Sequence, residues 1–241
     1  MTPEQHLHHL AIAGDHLSEI AATTAPTTPV TSCGDWTLEQ LITHCAQVWS
    51  FVAASIRAGE PVGRNSAAMS RPDGVLSDWH AHAVTEVHHL LESMGPDAPC
   101  WTFSPDDHTA AFWMRRMAHE AAMHRWDAEH ARGTTLPIDA ELAVDGIDEL
   151  FDHFIAHRKP DAFAGDGETV HLHSTDADGE WLVTRTTDGI EVERTHAKGD
   201  VAARGTASDL LLFVWGRKLP EDLEVFGEIG LLLEWQEKVR F

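Results

Sequence analysis

The residues best suited to chemistry lie in Arg116-Met117-Ala118-His119-Glu120-Ala121-Ala122-Met123-His124-Arg125-Trp126-Asp127. Read as a helix, Trp113, Met117, Glu120, His124 and Asp127 fall at i, i+4, i+7, i+11 and i+14, which is one face. That face is where core residues belong, and an unpaired carboxylate on it is costly. Two readings follow from the four-residue spacing. Glu120 and His124 hydrogen-bond to each other, or they point into one inter-helix space and hold a divalent cation.

His119-Glu120 opens like the zinc-protease pattern H-E-x-x-H, but the second histidine arrives one place late. Five residues rotate a helix about 140° past a full turn, so His119 and His124 do not face one ion, and His119 reads as structural or supporting. A third ligand is needed. His44, with Leu41 and Val48 a turn to either side, sits at the edge of another apolar stripe and is the best-placed candidate. His6, His9, His80 and His88 have similar claims on spacing, and the residues alone do not choose among them. Cys33, Cys45 and Cys100 lack any CxxC pair and read as reduced thiols, with Cys45 inside an apolar stripe as core. Trp49 and Trp126 are candidates for a pocket mouth. Arg115, Arg116 and Arg125 fall mostly off the stripe and read as partners in surface or inter-helix salt bridges. Arg217 differs: it follows Trp215-Gly216 at an expected helix end, where a loop delivers a guanidinium to a carboxylate or the charge caps the helix.

Four helices must position these groups. Thr2-Pro3-Glu4-Gln5 and Thr37-Leu38-Glu39-Gln40 are capping boxes that predict helices over about 3–23 and from 37 to about Arg57. Leu76, Trp79, Ala83, Val87, Leu90 and Met94 mark a third, stopped by Gly95-Pro96, and the fourth is expected from about Asp107 to Arg132. Amphipathic helices of about 20 residues argue for an antiparallel bundle. A helix at 139–157 bridges to the second half, and a soft boundary is expected near residue 158, giving domains 1–158 and 159–241. Beyond it, 169–173, 181–185 and 190–194 alternate with period two around Asp178-Gly179 and Asp188-Gly189, the pattern of a β-meander. Two short helices follow, one capped by Thr206, the other holding Ile229, Leu232, Leu233 and Trp235.

Composition excludes several partners. The 241 residues carry 39 Asp+Glu against 17 Lys+Arg, a formal charge of −22 with the 18 histidines neutral. So negative a chain repels phosphate backbones and anionic lipid, so nucleic acid and membranes are not expected partners. No apolar run approaches the roughly 18 residues of a membrane span, and no basic-then-apolar leader opens the chain, so the expectation is a cytoplasmic protein. Oligomeric state is not legible.

L-I-x-H-x-x-x-V-W at 41–49 and R-M-A-H-E-A-A-M-H-R-W-D-A-E at 116–129 resemble the mycothiol-dependent maleylpyruvate isomerase family. D-G-E-W-L-V-T at 178–184, D-V-A-A-R-G-T at 200–206, L-L-L-F-V-W-G-R at 210–217 and E-V-F-G at 224–227 look like its smaller C-terminal domain. The resemblance implies an α+β chain: an N-terminal DinB-like four-helix bundle, then a smaller α+β domain with an antiparallel β-meander. It also implies His44, Glu120 and His124 as ligands of a divalent metal, usually zinc, and Arg217 as a catalytic, substrate-binding arginine. The implied function is a metal-dependent isomerase or thiol S-transferase using mycothiol as thiol cosubstrate on a small, maleylpyruvate-like electrophile. The competing class is a non-enzymatic metal or small-molecule carrier.

Overall fold

The computed structural model describes residues 1–63, 65–158 and 160–239. The chain divides into two compact units, Met1–Leu136 and Pro137–Phe241. The first holds α1 (Pro3–Thr23), α2 (Leu38–Ala58), α3 (Leu76–Met94) and α4 (Ala110–Ala131). Both capping boxes form: the Thr2 and Thr37 hydroxyls accept from the Gln5 and Gln40 amides, and each Gln side chain returns to the cap's backbone. Gly59, at φ 73°, ends α2 in the left-handed conformation that glycine adopts without a Cβ clash. The fourth helix starts later than its apolar pattern suggests. Asp107 stays outside it, accepting from the Thr109 amide at 3.0 Å and the Thr109 hydroxyl at 2.7 Å, so Thr109 becomes the cap.

The bundle core is built from Leu10, Leu17 and Ile20 on α1, Leu41, Ile42 and Trp49 on α2, Val87 and Leu91 on α3, and Trp113 and Met117 on α4. Truncating one of these, as in Leu17→Ala, costs roughly 2–5 kcal/mol. Gly14 sets how closely α1 approaches α3, because a Cβ there would lie 2.5 Å from Val84 Cγ2.

The second unit begins with α5 (Ala140–Glu149), whose first amides are capped by Asp139. It continues through a π-helical turn, Leu150–Ile155, into a last turn, α6 (Ala156–Arg158). The buried side of α5, with Leu142, Ala143 and Ile147, belongs with α7 (Ala207–Val214). For that reason the division falls before this helix, whereas the sequence pattern grouped it with the bundle; Lys159, at the expected boundary, lies outside the described residues. Among the described residues five strands follow: β1 (Thr169–Ser174), β2 (Glu180–Thr186), β3 (Gly189–Glu193), β4 (Val201–Gly205) and β5 (Glu224–Gly227), in the order β3-β2-β1-β4-β5. The meander β1-β2-β3 is antiparallel as expected, but β4 adds to β1 in parallel and β5 closes the far edge antiparallel to β4. Val170, Leu172, Trp181, Val183, Val201 and Ala203 are the sheet's buried hydrophobic residues, sharing the core with Leu210, Leu211 and Phe213 of α7 and with Leu232 and Trp235 of α8 (Ile229–Lys238). Thr206 caps α7 through the Asp209 amide, as its sequence predicts. Among the described residues no helix is long and apolar enough to cross a membrane.

Candidate metal centre

Glu120 Oε1 stands 3.2 Å from His44 Nε2 and 3.2 Å from His124 Nε2. Helix α2 brings His44 and α4 brings the other two, so the centre exists only when these helices pack. The His44 and His124 rings meet edge to face, centroids 5.1 Å apart. His44 is the open side, with 36% of its side chain exposed against 11% for His124. Two imidazole nitrogens and a carboxylate oxygen are the donor set of an open zinc site, in which bonds of about 2.05 Å at tetrahedral angles place ligand atoms about 3.3 Å apart. The observed spacing is close to that. With all three donor atoms within 4.8 Å of one another, the residues are of the types and grouping that suit a divalent ion.

Other side chains fix this geometry. Arg116 Nη2 donates to Glu120 Oε2 at 2.5 Å, which turns the other carboxylate oxygen toward the imidazoles. Asp127, wholly buried, has Oδ2 3.0 Å from His124 Nδ1. A proton held on Nδ1 by that bond makes Nε2, which faces Glu120, the nitrogen free to ligate once its own proton is displaced, the usual support for a histidine ligand. Cys33 lies on the same side, grouped with His124 and Asp127, and the Trp36 ring sits 5.2 Å from that of His44.

Charge follows from these contacts. Burial pushes the Glu120 carboxyl up, but the Arg116 guanidinium and hydrogen bonds from His124 and His44 outweigh it and hold the group well below the usual carboxylate range. Burial also disfavours the His124 imidazolium. Even so its pKa stands well above the ordinary value, raised by Cys45 and by bonds to Asp127, Cys33 and Glu120. The Cys45 thiol is itself pushed up to about 12, first by burial, so it is neutral at pH 7 and the attraction comes from the carboxylates.

The remaining sequence candidates go elsewhere. His80 is a satisfied core histidine: Trp49 Nε1 donates to its Nε2 at 3.2 Å, and Ser18 Oγ lies 2.8 Å from its Nδ1. His119 is buried beside His6, ring centroids 5.8 Å apart, away from the Glu120–His124 side of its helix. His9 is half-buried with its ring 5.9 Å from that of His8, and His88 groups with His89 and Glu92 on one turn of α3. Trp49 and Trp126 do not form a mouth; both are buried, Trp126 stacked on His130. Arg125 makes a buried pair with Glu129 at 2.8 Å, one turn on along the same helix, rather than the surface or inter-helix salt bridge its position suggested. Arg116 is the exception, because its partner is the centre itself. The signal was present in the i, i+4 relation to Glu120. Arg217 follows the α7 C-cap, its Nη1 donating to the Trp215 carbonyl at 2.9 Å.

Fold and side chains together define a two-part class, a helical bundle holding a His–Glu–His cluster followed by a small unit built on a mixed sheet. Residues 7–129 match the mycothiol maleylpyruvate isomerase N-terminal domain, and residues 141–234 match the C-terminal domain of the same proteins. The chain therefore belongs to the mycothiol-dependent maleylpyruvate isomerase family. Its architecture is similar to that of the crystal structure of the mycothiol-dependent maleylpyruvate isomerase, with a TM-score of 0.65 over 95% of both chains at 16% identity. A histidine mutant of that enzyme matches equally well at 15% identity. At such identities the likeness shows the fold. Two uncharacterized proteins of Mycobacterium tuberculosis, one from each of two strains, are 25% identical over 121 residues, 48% of this chain. That match covers 60% of their length.

Proposed function

We propose that this protein is a divalent-metal-dependent isomerase or thiol S-transferase that uses mycothiol on a small, maleylpyruvate-like electrophile. The observation that carries the reading is the convergence of His44 Nε2 and His124 Nε2 on one oxygen of Glu120, each at 3.2 Å. His44, Glu120 and His124 would hold the ion, and zinc suits two imidazoles and a carboxylate. A bound ion supplies the charge that removes the proton from a coordinated thiol, a gain of about 30-fold in thiolate over a free thiol of pKa about 8.5 at pH 7.

The chain's own groups prepare the site. Arg116 fixes the Glu120 rotamer and balances its charge, Asp127 holds the proton on His124 Nδ1, and Trp36 packs beside His44. In the proposed reaction the thiolate sulfur adds to the electrophilic carbon of the double bond. Rotation about the resulting single bond and expulsion of the same thiolate give the isomer, with the thiol returned unchanged. A transferase would stop at the adduct, its carbanion taking up the proton that the thiol released. Neither course needs a protein nucleophile, and Cys45 cannot act as one with its thiol buried and raised to about 12. Arg217 is the proposed group for a substrate carboxylate, through the two-pronged grip of a guanidinium. Three free cysteines suit the reducing cytoplasm.

The test measures zinc affinity and maleylpyruvate isomerisation, with and without mycothiol, in the wild type and in His44→Ala, Glu120→Ala and His124→Ala. Each variant should lose at least about tenfold in affinity while keeping its helical content. Changing Cys33, Cys45 and Cys100 together to Ser should leave thiol-dependent turnover in place. Turnover without added thiol, or unchanged zinc binding in all three ligand variants, would overturn the reading. No mycothiol consumption or isomerisation across a panel of electrophiles would favour the carrier.

A further inference from the structure

The second unit gathers a separate set of ligating side chains. Strand β1 places His171 and His173 two residues apart and therefore on one face, and Glu180 of β2 is the register partner of His173. The segment after β3 brings His196 over the same face, its ring 5.5 Å from His171 and 6.0 Å from His173. We propose that His171, His173, Glu180 and His196 form a second divalent-metal site that takes zinc and serves as a structural staple.

The donor atoms of the four residues all lie within 4.8 Å of one another. Glu180 organises the group: its Oε1 contacts His173 Nδ1 and stands 2.9 Å from His196 Nδ1. His171 supplies the independent observation. It is 5% exposed, and its Nε2 is buried without a hydrogen-bond partner. A buried imidazole nitrogen is costly when left unsatisfied, and in a residue grouped with two other imidazoles and a carboxylate a shared cation would remove that cost. Arg204, the β4 register partner of His173, does not fill the role, since it pairs with Glu224.

The backbone is built to hold His196 there. A Cβ on Gly199 would meet the Val201 carbonyl oxygen at 2.8 Å and the His171 amide nitrogen at 3.0 Å, so only glycine lets the segment lie this tightly on β1. Asp200 Oδ2 then accepts from both the amide and the hydroxyl of Thr169 at 2.8 Å. Four protein ligands complete a tetrahedral shell and leave no open position, which marks a structural rather than a reactive ion. Bound zinc would tie residues 194–200 to β1 and β2.

The proposal is independent of the bundle centre, and native mass spectrometry with a competing chelator keeps the two apart. Full-length wild type and His173→Ala/His196→Ala are titrated with zinc. The double variant should hold one equivalent fewer than the wild type, whatever the bundle contributes, and should lose the part of the zinc-induced rise in Tm that this ion supplies. His196→Ala alone, at a side chain 79% exposed, is the fold-safe variant and should weaken that equivalent at least about tenfold. Equal stoichiometry and affinity in wild type and variants would overturn the site.

Discussion

Arg116 and Glu120, one turn apart on α4, share a 2.5 Å hydrogen bond that commits one carboxylate oxygen to the guanidinium and leaves the other for His44 and His124. Both members are largely enclosed, at 7% and 18% side-chain exposure, so neither can trade its partner for water. Breaking such a pair leaves an uncompensated charge. Arg116→Gln should therefore destabilise the metal-free protein by roughly 3 kcal/mol. Zinc should restore more stability to the variant than it adds to the wild type, because the ion replaces the lost cation. Denaturant titrations with and without zinc measure both, and an unperturbed metal-free variant would refute the coupling.

His124 gives the pH dependence its sign. Its folded pKa is raised, so the metal-free protein gains stability from the imidazolium below the unfolded value of about 6.5 and loses it as pH rises through the folded value. A metal must displace that proton. Apparent zinc affinity should rise with pH up to the raised pKa, at about tenfold per unit for one proton released, and activity should fall on the acid side unless zinc is in excess. Calorimetry in buffers of different ionisation heat counts the protons. Binding without proton release would contradict the assignment.

His80 acts in the opposite direction. Burial holds its pKa down to about 4, so the folded state keeps it neutral while the unfolded chain takes up a proton. Stability should fall by about 3 kcal/mol as pH drops from about 6.5 to about 4. His80→Gln, which keeps an acceptor for Trp49 but cannot be protonated, should flatten that slope at neutral-pH cost. Unfolding free energies across this window decide it.

For Arg217 the proposed contact is with the substrate. Arg217→Lys keeps the charge but loses the planar fork, and kcat/KM for a carboxylate electrophile should fall about 10–100-fold, with zinc affinity unchanged. A neutral electrophile should be spared. Equal losses on both would point to a folding defect, and a wild-type rate would leave Arg217 as the charge that bonds the Trp215 carbonyl at the end of α7.

Much of the bundle is readable because its signals are local. Thr2 with Gln5 and Thr37 with Gln40 announce two helix starts within four residues, and the apolar period of α3 extends from Leu76 to Met94 as observed. What depends on distant partners is not readable. His80 and His44 look alike in sequence, and only Ser18 and Trp49, from other helices, make His80 a core residue. Cys33 and Trp36 reach the centre from the connection before α2, where no periodicity exists to place them. Strands β4 and β5 escaped because Val-Ala-Ala-Arg-Gly alternates weakly and Glu-Val-Phe-Gly is too short to show a pattern. Residues 139–157 read correctly as a helix, but only its packing against α7 shows which unit owns it.

The order β3-β2-β1-β4-β5 leaves two strands whose outer backbone groups have no neighbour in the sheet. Unpaired edges of that kind recruit strands from other molecules and start aggregation. Here each edge is blunted. β3 presents Glu191 and Glu193 as exposed charges, and a second copy laid alongside would bring the same charges with it. β5 is only 4 residues long and turns away at Gly227, φ 98°, where an added Cβ would strike the Asp200 carbonyl oxygen at 2.2 Å. The sheet is thereby guarded against runaway polymerisation from either side, and replacing Glu191 and Glu193 by threonine would remove half of that guard.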